Sequence, residues 1–163
     1  ILSGLVGSEM CIRDSWCVVE QEKFVTRGQQ KFESEELHFF FSMEECAAKH
    51  QPDVVLFASV LQYLENADQI IEAALASGAG YIVVDRTPFI ELESDWICVQ
   101  HVPPSIYEAS YPCAMLSESR LNQKLGSHCD LLADFEALGG KGYIRDGSQI
   151  LPFEYKGMIW RKR

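Results

Sequence analysis

The sequence has little positive charge, no long hydrophobic run and no closely paired cysteines. Its 163 residues include 14 lysines and arginines against 24 aspartates and glutamates, for a formal net charge of -10. This acidic balance argues against a protein that holds nucleic-acid phosphates by charge. No stretch of about 18 apolar residues is present, so we expect no membrane span. The length is that of one ordinary domain.

The cysteines and histidines lack the spacings of metal ligands. No C-x-x-C pair occurs, and the cysteines that follow residue 15 are Cys17, Cys46, Cys98, Cys113 and Cys129. An odd and scattered set argues against a disulfide framework or a zinc site. The four histidines are equally scattered. We therefore expect reduced thiols, a cytoplasmic protein and no bound metal.

The first residues resemble the translation of a transposon-type sequencing adapter rather than native protein. The resemblance covers residues 4–15, where Gly7 to Ser15 reads Gly-Ser-Glu-Met-Cys-Ile-Arg-Asp-Ser. The segment has no basic start, no sustained apolar core and no small-residue cleavage site, which argues against a signal peptide. We expect residues 1–15 to be non-native and the native protein to continue upstream of residue 16.

After residue 15, short apolar runs alternate with helix-like segments. The predicted strands are 16–20, 37–41, 54–58 and 81–85, and the predicted helices are 22–32, 43–49 and 67–76. The continuous apolar run at 54–58 is typical of a strand covered on both faces. In the first helix we expect Phe24, Val25 and Phe32 on the buried side. The alternation predicts an α/β domain around a mostly parallel sheet.

Polar residues follow the predicted strands. Those that lie at or just after the strand ends are Glu20, Ser42, Ala58, Ser59, Asp85 and Arg86. Open α/β sheets bind ligands at the carboxyl ends of their parallel strands. The sequence therefore predicts a ligand site at this edge of the sheet.

The second half of the chain is organised differently. Residues 87–117 read as a long irregular connection, which we interpret as an insertion on the substrate side. Ser117 opens a helix that ends near Gly126. Two final strands, 131–137 and 155–161, predict an antiparallel hairpin.

Several motifs resemble the later part of a class I S-adenosylmethionine (SAM)-dependent methyltransferase. They are Val18-Val19-Glu20 and Ser59-Val60-Leu61-Gln62-Tyr63-Leu64-Glu65-Asn66. Three further segments, 82–89, 102–107 and 110–112, are similar to a poorly characterised bacterial methyltransferase family that is often associated with surface-polysaccharide genes. The resemblance covers residues 16–163. It implies a Rossmann-like sheet that ends in an antiparallel hairpin, SAM as cofactor, and a small or carbohydrate-like methyl acceptor.

The resemblance also implies roles in cofactor binding. Glu20 would hold the ribose hydroxyls, because a carboxylate accepts two hydrogen bonds. Ser42 and Met43 would lie beside adenine, and the equally weighted alternative is a helix cap beside a core methionine. Ala58 and Ser59 would flank the methionine end of SAM.

The acceptor side involves different residues. His101 is the candidate general base, since histidine commonly serves as an acid or base near neutral pH. Asp85 is a second catalytic candidate and Arg86 a substrate-binding one, with a structural ion pair between them as the alternative. Tyr107 and Tyr111 are candidates to stack on a sugar-type acceptor. For Tyr63, a packing role is favoured.

One family element has no counterpart here. The first strand and its glycine-rich loop would precede Trp16, and no G-x-G-x-x-G motif follows any predicted strand. We expect this chain to bind SAM weakly or not at all and to be inactive as a fragment. The alternatives are a non-catalytic α/β fragment or binding module and, with less support, a nicotinamide-dependent oxidoreductase.

Overall fold

The computed structural model describes residues 14–163, which fall into two compact units divided after Gln51. The adapter-like segment lies mostly outside the described residues. In the described part of the chain, no helix is long and apolar enough to cross a membrane.

The first unit is a strand–helix–strand–helix arrangement. Its elements are β1 (Trp16–Val19), α1 (Glu22–Lys31), β2 (Leu37–Phe40) and α2 (Met43–Lys49). The two strands pair in parallel, with Trp16 opposite Leu37 and Val19 opposite Phe40. A parallel pair needs a crossover between its strands, and α1 provides it. The predicted elements of this region are confirmed within one or two residues.

Helix α1 packs closely on β2 through a glycine. A Cβ atom at Gly28 would lie 2.4 Å from the Phe39 ring, so only glycine permits this approach. Val25 is buried as expected. The prediction that Phe24 and Phe32 are buried is wrong, since both are more than 60% exposed. Phe32 follows the last helical residue, so it does not share the buried face of the helix. Phe24 lies about 100° around the helix from the buried Val25.

Helix α2 begins with the predicted cap. The Ser42 hydroxyl accepts a hydrogen bond from the Glu45 amide at 3.1 Å. In return, the Glu45 carboxylate accepts one from the Phe41 amide at 3.2 Å. The first bond satisfies an amide that the first helical turn leaves free, and the second holds the residue before the cap against the helix.

The second unit contains a six-stranded mixed sheet. Its strands are β3 (Val54–Ala58), β4 (Tyr81–Ile90), β5 (Trp96–His101), β6 (Ser110–Ser117), β7 (Cys129–Asp146) and β8 (Gln149–Lys162). Helices α3 (Ala67–Ala76) and α4 (Glu118–Gly126) and a 3₁₀ turn (Leu61–Tyr63) connect them. The path along the sheet is β5-β6-β4-β8-β7, and β3 also pairs with β4.

Strand β4 is the central strand of this sheet. Its first half pairs in parallel with β3, and its last two residues pair in parallel with β6. Its other edge pairs antiparallel with β8. The final hairpin of β7 and β8 is antiparallel as predicted, but both strands are longer than expected and turn at Gly147, whose φ is 57°. The sheet is therefore less parallel than the sequence indicated.

One face of β3 is uncovered. Val55 and Phe57 are buried, whereas Val54 and Leu56 are 49% and 46% exposed. Tyr81, which is opposite Val54 on β4, is also exposed. The prediction that both faces of β3 are covered is therefore wrong for the second unit, because no element of that unit shields this face. Within the second unit β3 pairs only with β4, so its other edge has no strand partner there.

The prediction that residues 87–117 are irregular is also wrong. Residues 87–90 continue β4, and β5 and β6 form an antiparallel hairpin. Side chains alternate along β5, with Trp96, Cys98 and Gln100 half-buried and the residues between them exposed. Because two of the exposed residues, Ile97 and Val99, are also apolar, the two-residue period is hidden in the sequence.

Candidate functional site

The carboxyl ends of β3 and β4 carry an unusual backbone. Ser59 has a φ of 57° and Arg86 a φ of 48°, and these are the non-glycine residues with positive φ in the described part of the chain. The Ser59 amide donates a hydrogen bond to the Asp85 carbonyl at 2.9 Å, which joins the two ends. Left-handed backbone at non-glycine residues costs energy and clusters at functional sites.

Asp85 and Arg86 form a bulge in β4. The pairing with β8 shifts register between Val84 and Thr87, so these two residues are left outside the regular ladder. The Asp85 carboxylate accepts a hydrogen bond from the Arg86 amide at 2.8 Å and lies 3.6 Å from the Arg86 Nε atom. The alternative interpretation, an ion pair between them, is thus present. The Arg86 side chain is nearly half exposed, and a guanidinium has more N–H donors than this one ion pair uses.

Gln62 ties the two strand ends together. Its side chain lies in the 3₁₀ turn and is 2% exposed. The Nε2 atom donates to the Ser59 hydroxyl at 3.1 Å and to the Arg86 carbonyl at 3.4 Å. A carbonyl only accepts hydrogen bonds, which fixes the nitrogen on that side of the amide. The Oε1 atom is consequently buried without a partner in the described residues.

This geometry predicts unequal effects of two substitutions at Gln62. Gln62→Met removes the unpartnered oxygen together with the Nε2 donor, so a gain and a loss partly offset each other and the free energy of unfolding should change by less than about 1 kcal/mol. Gln62→Glu places a carboxylate against the Arg86 carbonyl and should destabilise by about 2 kcal/mol or more. Chemical denaturation measures both. Gln69→Glu, on the exposed side of α3, is the matched control. Equal stability of the two Gln62 variants would contradict the assigned geometry.

Aromatic residues stand next to these strand ends. The Tyr63 hydroxyl donates to the Gln100 side chain at 3.1 Å, which links the 3₁₀ turn to β5. The Tyr63 and Tyr111 rings meet edge to face, with centroids 5.5 Å apart. Tyr63 is 40% exposed, so it contacts both the protein and the solvent.

The phenols of Tyr63 and Tyr111 stay neutral at physiological pH. Burial raises the pKa of Tyr63. Burial, and then the neighbouring phenols of Tyr63 and Tyr107, raise the pKa of Tyr111. A neutral phenol donates a hydrogen bond and is a poor general base. The structure thus brings Tyr63, Tyr107 and Tyr111 together as donors and as an aromatic surface.

His101 lies apart from these groups. It pairs with Ser110 in the hairpin ladder, one residue after Gln100. Because side chains alternate along a strand, it projects from the face opposite to Gln100, and it is exposed. It forms no hydrogen bond or ion pair with Asp85. Its role as a base stays a prediction.

The predicted residues of the first unit occupy the ends of its two strands. Glu20 follows β1 and is exposed, and its Oε2 atom accepts a hydrogen bond from the Gln21 amide at 2.9 Å. Its Oε1 atom has no protein donor among residues 14–163. The Ser42 hydroxyl caps α2, which is the alternative considered for it, and Met43 is the half-buried first residue of that helix.

Sequence reasoning missed Gln62, Gln100 and Thr87. Thr87 is fully buried beside the bulge and donates to the Asp85 carbonyl at 3.3 Å. Gln62 could have been noticed in the sequence, because it is a polar residue inside the apolar part of the Ser59–Asn66 motif. No sequence feature indicates that Gln100 on β5 reaches Tyr63.

No protein-family model matches the chain, and no curated protein does. Solved structures do match. The crystal structure of the glycopeptide N-methyltransferase MtfA complexed with SAM aligns with a TM-score of 0.51 at 11% identity, over 88% of this chain and 74% of that one. MtfA complexed with sinefungin gives 0.49 at 11% identity, over 88% and 74%. The PH0226 protein from Pyrococcus horikoshii OT3 gives 0.48 at 7% identity, over 91% and 72%.

The first of these similarities shows the fold and nothing more. This chain and a methyltransferase share an α/β fold that contains a mixed sheet. This agrees with the fold implied by the sequence motifs. At such low identity, the fold does not carry the activity with it.

Proposed function

We propose that the parent of this chain is a SAM-dependent methyltransferase that acts on a small or carbohydrate-like acceptor. One observation carries the proposal: two left-handed non-glycine residues, Ser59 and Arg86, lie side by side at the carboxyl ends of β3 and β4. This is the edge at which α/β sheets bind ligands. The fold shared with a SAM-bound methyltransferase supports the same interpretation.

The residues present fit part of the cofactor. The free Oε1 atom of Glu20 suits a ribose hydroxyl, and its carboxylate is solvent-accessible. Ala58 and Ser59 are assigned to the methionine end, and Ser42 and Met43 to adenine. When bound, SAM supplies an electrophilic methyl group.

The chain's own residues would act mainly by positioning the acceptor. Well-oriented groups gain on the order of 7 to 11 kcal/mol of the barrier, so a strong base is not always required. Arg86, Tyr107 and Tyr111 offer hydrogen-bond donors and ring faces to a polar acceptor. Where the acceptor must lose a proton, we assign His101 and Asp85 as candidates.

We also propose that the native domain contains one more strand, which occupies the free edge of β3, and an element that covers Val54 and Leu56. The unpaired edge and the exposed face of β3 support this proposal. A glycine-rich loop after that strand would complete the cofactor site. This chain alone would then be inactive.

The activity is tested with the full-length protein, in which the coding sequence upstream of Trp16 is restored. Incubation with methyl-labelled SAM and a panel of sugars, sugar nucleotides and small amines should transfer label to one of them and release S-adenosylhomocysteine. A protein that neither binds SAM nor transfers label would contradict the proposal. Binding and oxidation of a nicotinamide cofactor instead would favour the oxidoreductase alternative.

A further inference from the structure

Two cysteines face each other across the β5–β6 hairpin. Cys98 is directly opposite Cys113 in the antiparallel ladder. Directly opposed residues project from the same face of a sheet, so the two thiols are neighbours. Cys113 is 1% exposed, whereas Cys98 is half-buried and reachable from solvent.

The ladder fixes the spacing of this pair. The Val102 amide donates to the Ala109 carbonyl at 2.9 Å, which makes these two residues a hydrogen-bonded pair. Pairs alternate along an antiparallel ladder, so Cys98 and Cys113, four steps away, are also hydrogen-bonded partners. Their Cα atoms are therefore about 5.5 Å apart. This value lies within the range that disulfides span.

The Cys98 side chain lies against the backbone of Cys113. The Cys98 thiol donates to the Cys113 carbonyl at 3.4 Å, which places its sulfur over the backbone of its partner. Both residues belong to the apolar cluster around Ile90 and Met115. Burial raises the pKa of Cys113 to about 11 and also raises that of Cys98. The thiols are therefore mostly protonated at neutral pH and react slowly there.

We propose that Cys98 and Cys113 form a reversible cross-strand disulfide by exchange with a low-molecular-weight disulfide such as oxidised glutathione. The more exposed Cys98 loses its proton and attacks one glutathione sulfur, and one glutathione thiolate leaves. Cys113 then loses its proton and attacks the Cys98 sulfur, and the second glutathione leaves. Two protein thiols are oxidised, and one glutathione disulfide is reduced to two thiols.

The bond would act on the aromatic cluster. Two residues further along the hairpin, on the same face, the opposed pair is Gln100 and Tyr111. Gln100 accepts the Tyr63 hydroxyl, and Tyr111 contacts the Tyr63 ring. A disulfide at the adjacent inward-facing position fixes the strands that carry these two contacts. The redox state of the hairpin is thereby linked to the contacts of Tyr63 and, on the proposed function, to the acceptor side of the candidate site.

The test uses the chain as it stands, reduced, desalted and exposed to oxidised glutathione at mildly alkaline pH. Non-reducing digestion and mass spectrometry should recover the Cys98 peptide linked to the Cys113 peptide, and a reductant should reverse the link. The rate should rise as pH increases from neutrality, because the thiolates become more populated. Cys113→Ser should stop at a glutathione adduct on Cys98.

Cys129→Ser is the matched control, because Cys129 is equally buried but lies opposite Lys162. It should leave the Cys98–Cys113 link unchanged. Recovery of both thiols free in the wild-type chain, while Cys17 or another thiol is oxidised, would overturn the proposal. Separate glutathione adducts on Cys98 and Cys113, with no link between them, would overturn it as well. The wild-type peptide map alone is decisive, whatever the stability of the variants.

Discussion

Replacing Glu20 with alanine in the full-length protein is expected to weaken SAM binding by about 10- to 100-fold. The expectation follows from the place of Glu20 at the carboxyl end of β1, where its Oε1 atom has no protein donor among the described residues. Hydrogen bonds to a charged carboxylate contribute about 1.5–3 kcal/mol. Each 1.4 kcal/mol corresponds to a factor of about ten in the dissociation constant. Isothermal titration calorimetry measures the change directly.

Glu22→Ala is the matched control for this substitution. Glu22 is exposed, carries the same charge and lies two residues away in the first turn of α1. It should change the dissociation constant by less than about twofold, because a solvent-exposed charge contributes little. An unchanged SAM affinity in Glu20→Ala, or an equal loss of affinity in Glu22→Ala, would contradict the assignment of Glu20 to the ribose hydroxyls. Thermal unfolding of both variants verifies that they fold.

The second large effect concerns association of the chain as it stands. Within the second unit, strand β3 has a free edge and an uncovered apolar face, and both features promote pairing between molecules. We expect concentration-dependent oligomers in analytical ultracentrifugation. Leu56→Lys, at the centre of this face, should shift the population toward monomer. The restored full-length protein should be monomeric under the conditions in which the shorter chain associates through β3.

A comparable apolar residue elsewhere provides the control. Ile97 is 67% exposed on the outer face of the β5–β6 hairpin. Ile97→Lys adds the same charge and removes a similar apolar area but leaves β3 unchanged. If Ile97→Lys dissociates the oligomers as well as Leu56→Lys does, association does not depend on β3. A strictly monomeric wild-type chain at all concentrations would contradict the expectation altogether.

The local elements were predictable because their signals are local. The cap at Ser42 and the helix at 67–76 follow from a capping residue and helical periodicity, and the antiparallel final hairpin follows from two consecutive strands with no helix between them. The apolar runs of β1 to β4 were equally readable. For the cap and the helix, the interacting groups are close in sequence, whereas the strands are recognisable from their apolar composition alone.

The features that failed depend on distant partners. The burial of β3 requires elements from elsewhere in the fold. The apolar sequence of residues 54–58 does not indicate whether those elements are present. The β5–β6 hairpin was hidden by apolar residues on both faces and by three prolines in the same stretch. The role of Gln62 arises from two groups, the Ser59 hydroxyl and the Arg86 carbonyl, that are distant in sequence from one another. Such contacts follow from topology, which residue patterns alone do not specify.

The most direct test of the central claim is a SAM titration of two proteins, the full-length protein and the present chain, under identical conditions. We predict low-micromolar binding by the full-length protein, and binding by this chain that is at least about 100-fold weaker, because on our proposal the strand and glycine-rich loop that complete the cofactor site precede Trp16. Failure of the full-length protein to bind SAM would contradict the methyltransferase assignment. Low-micromolar binding by this chain would contradict the claim that its cofactor site is incomplete.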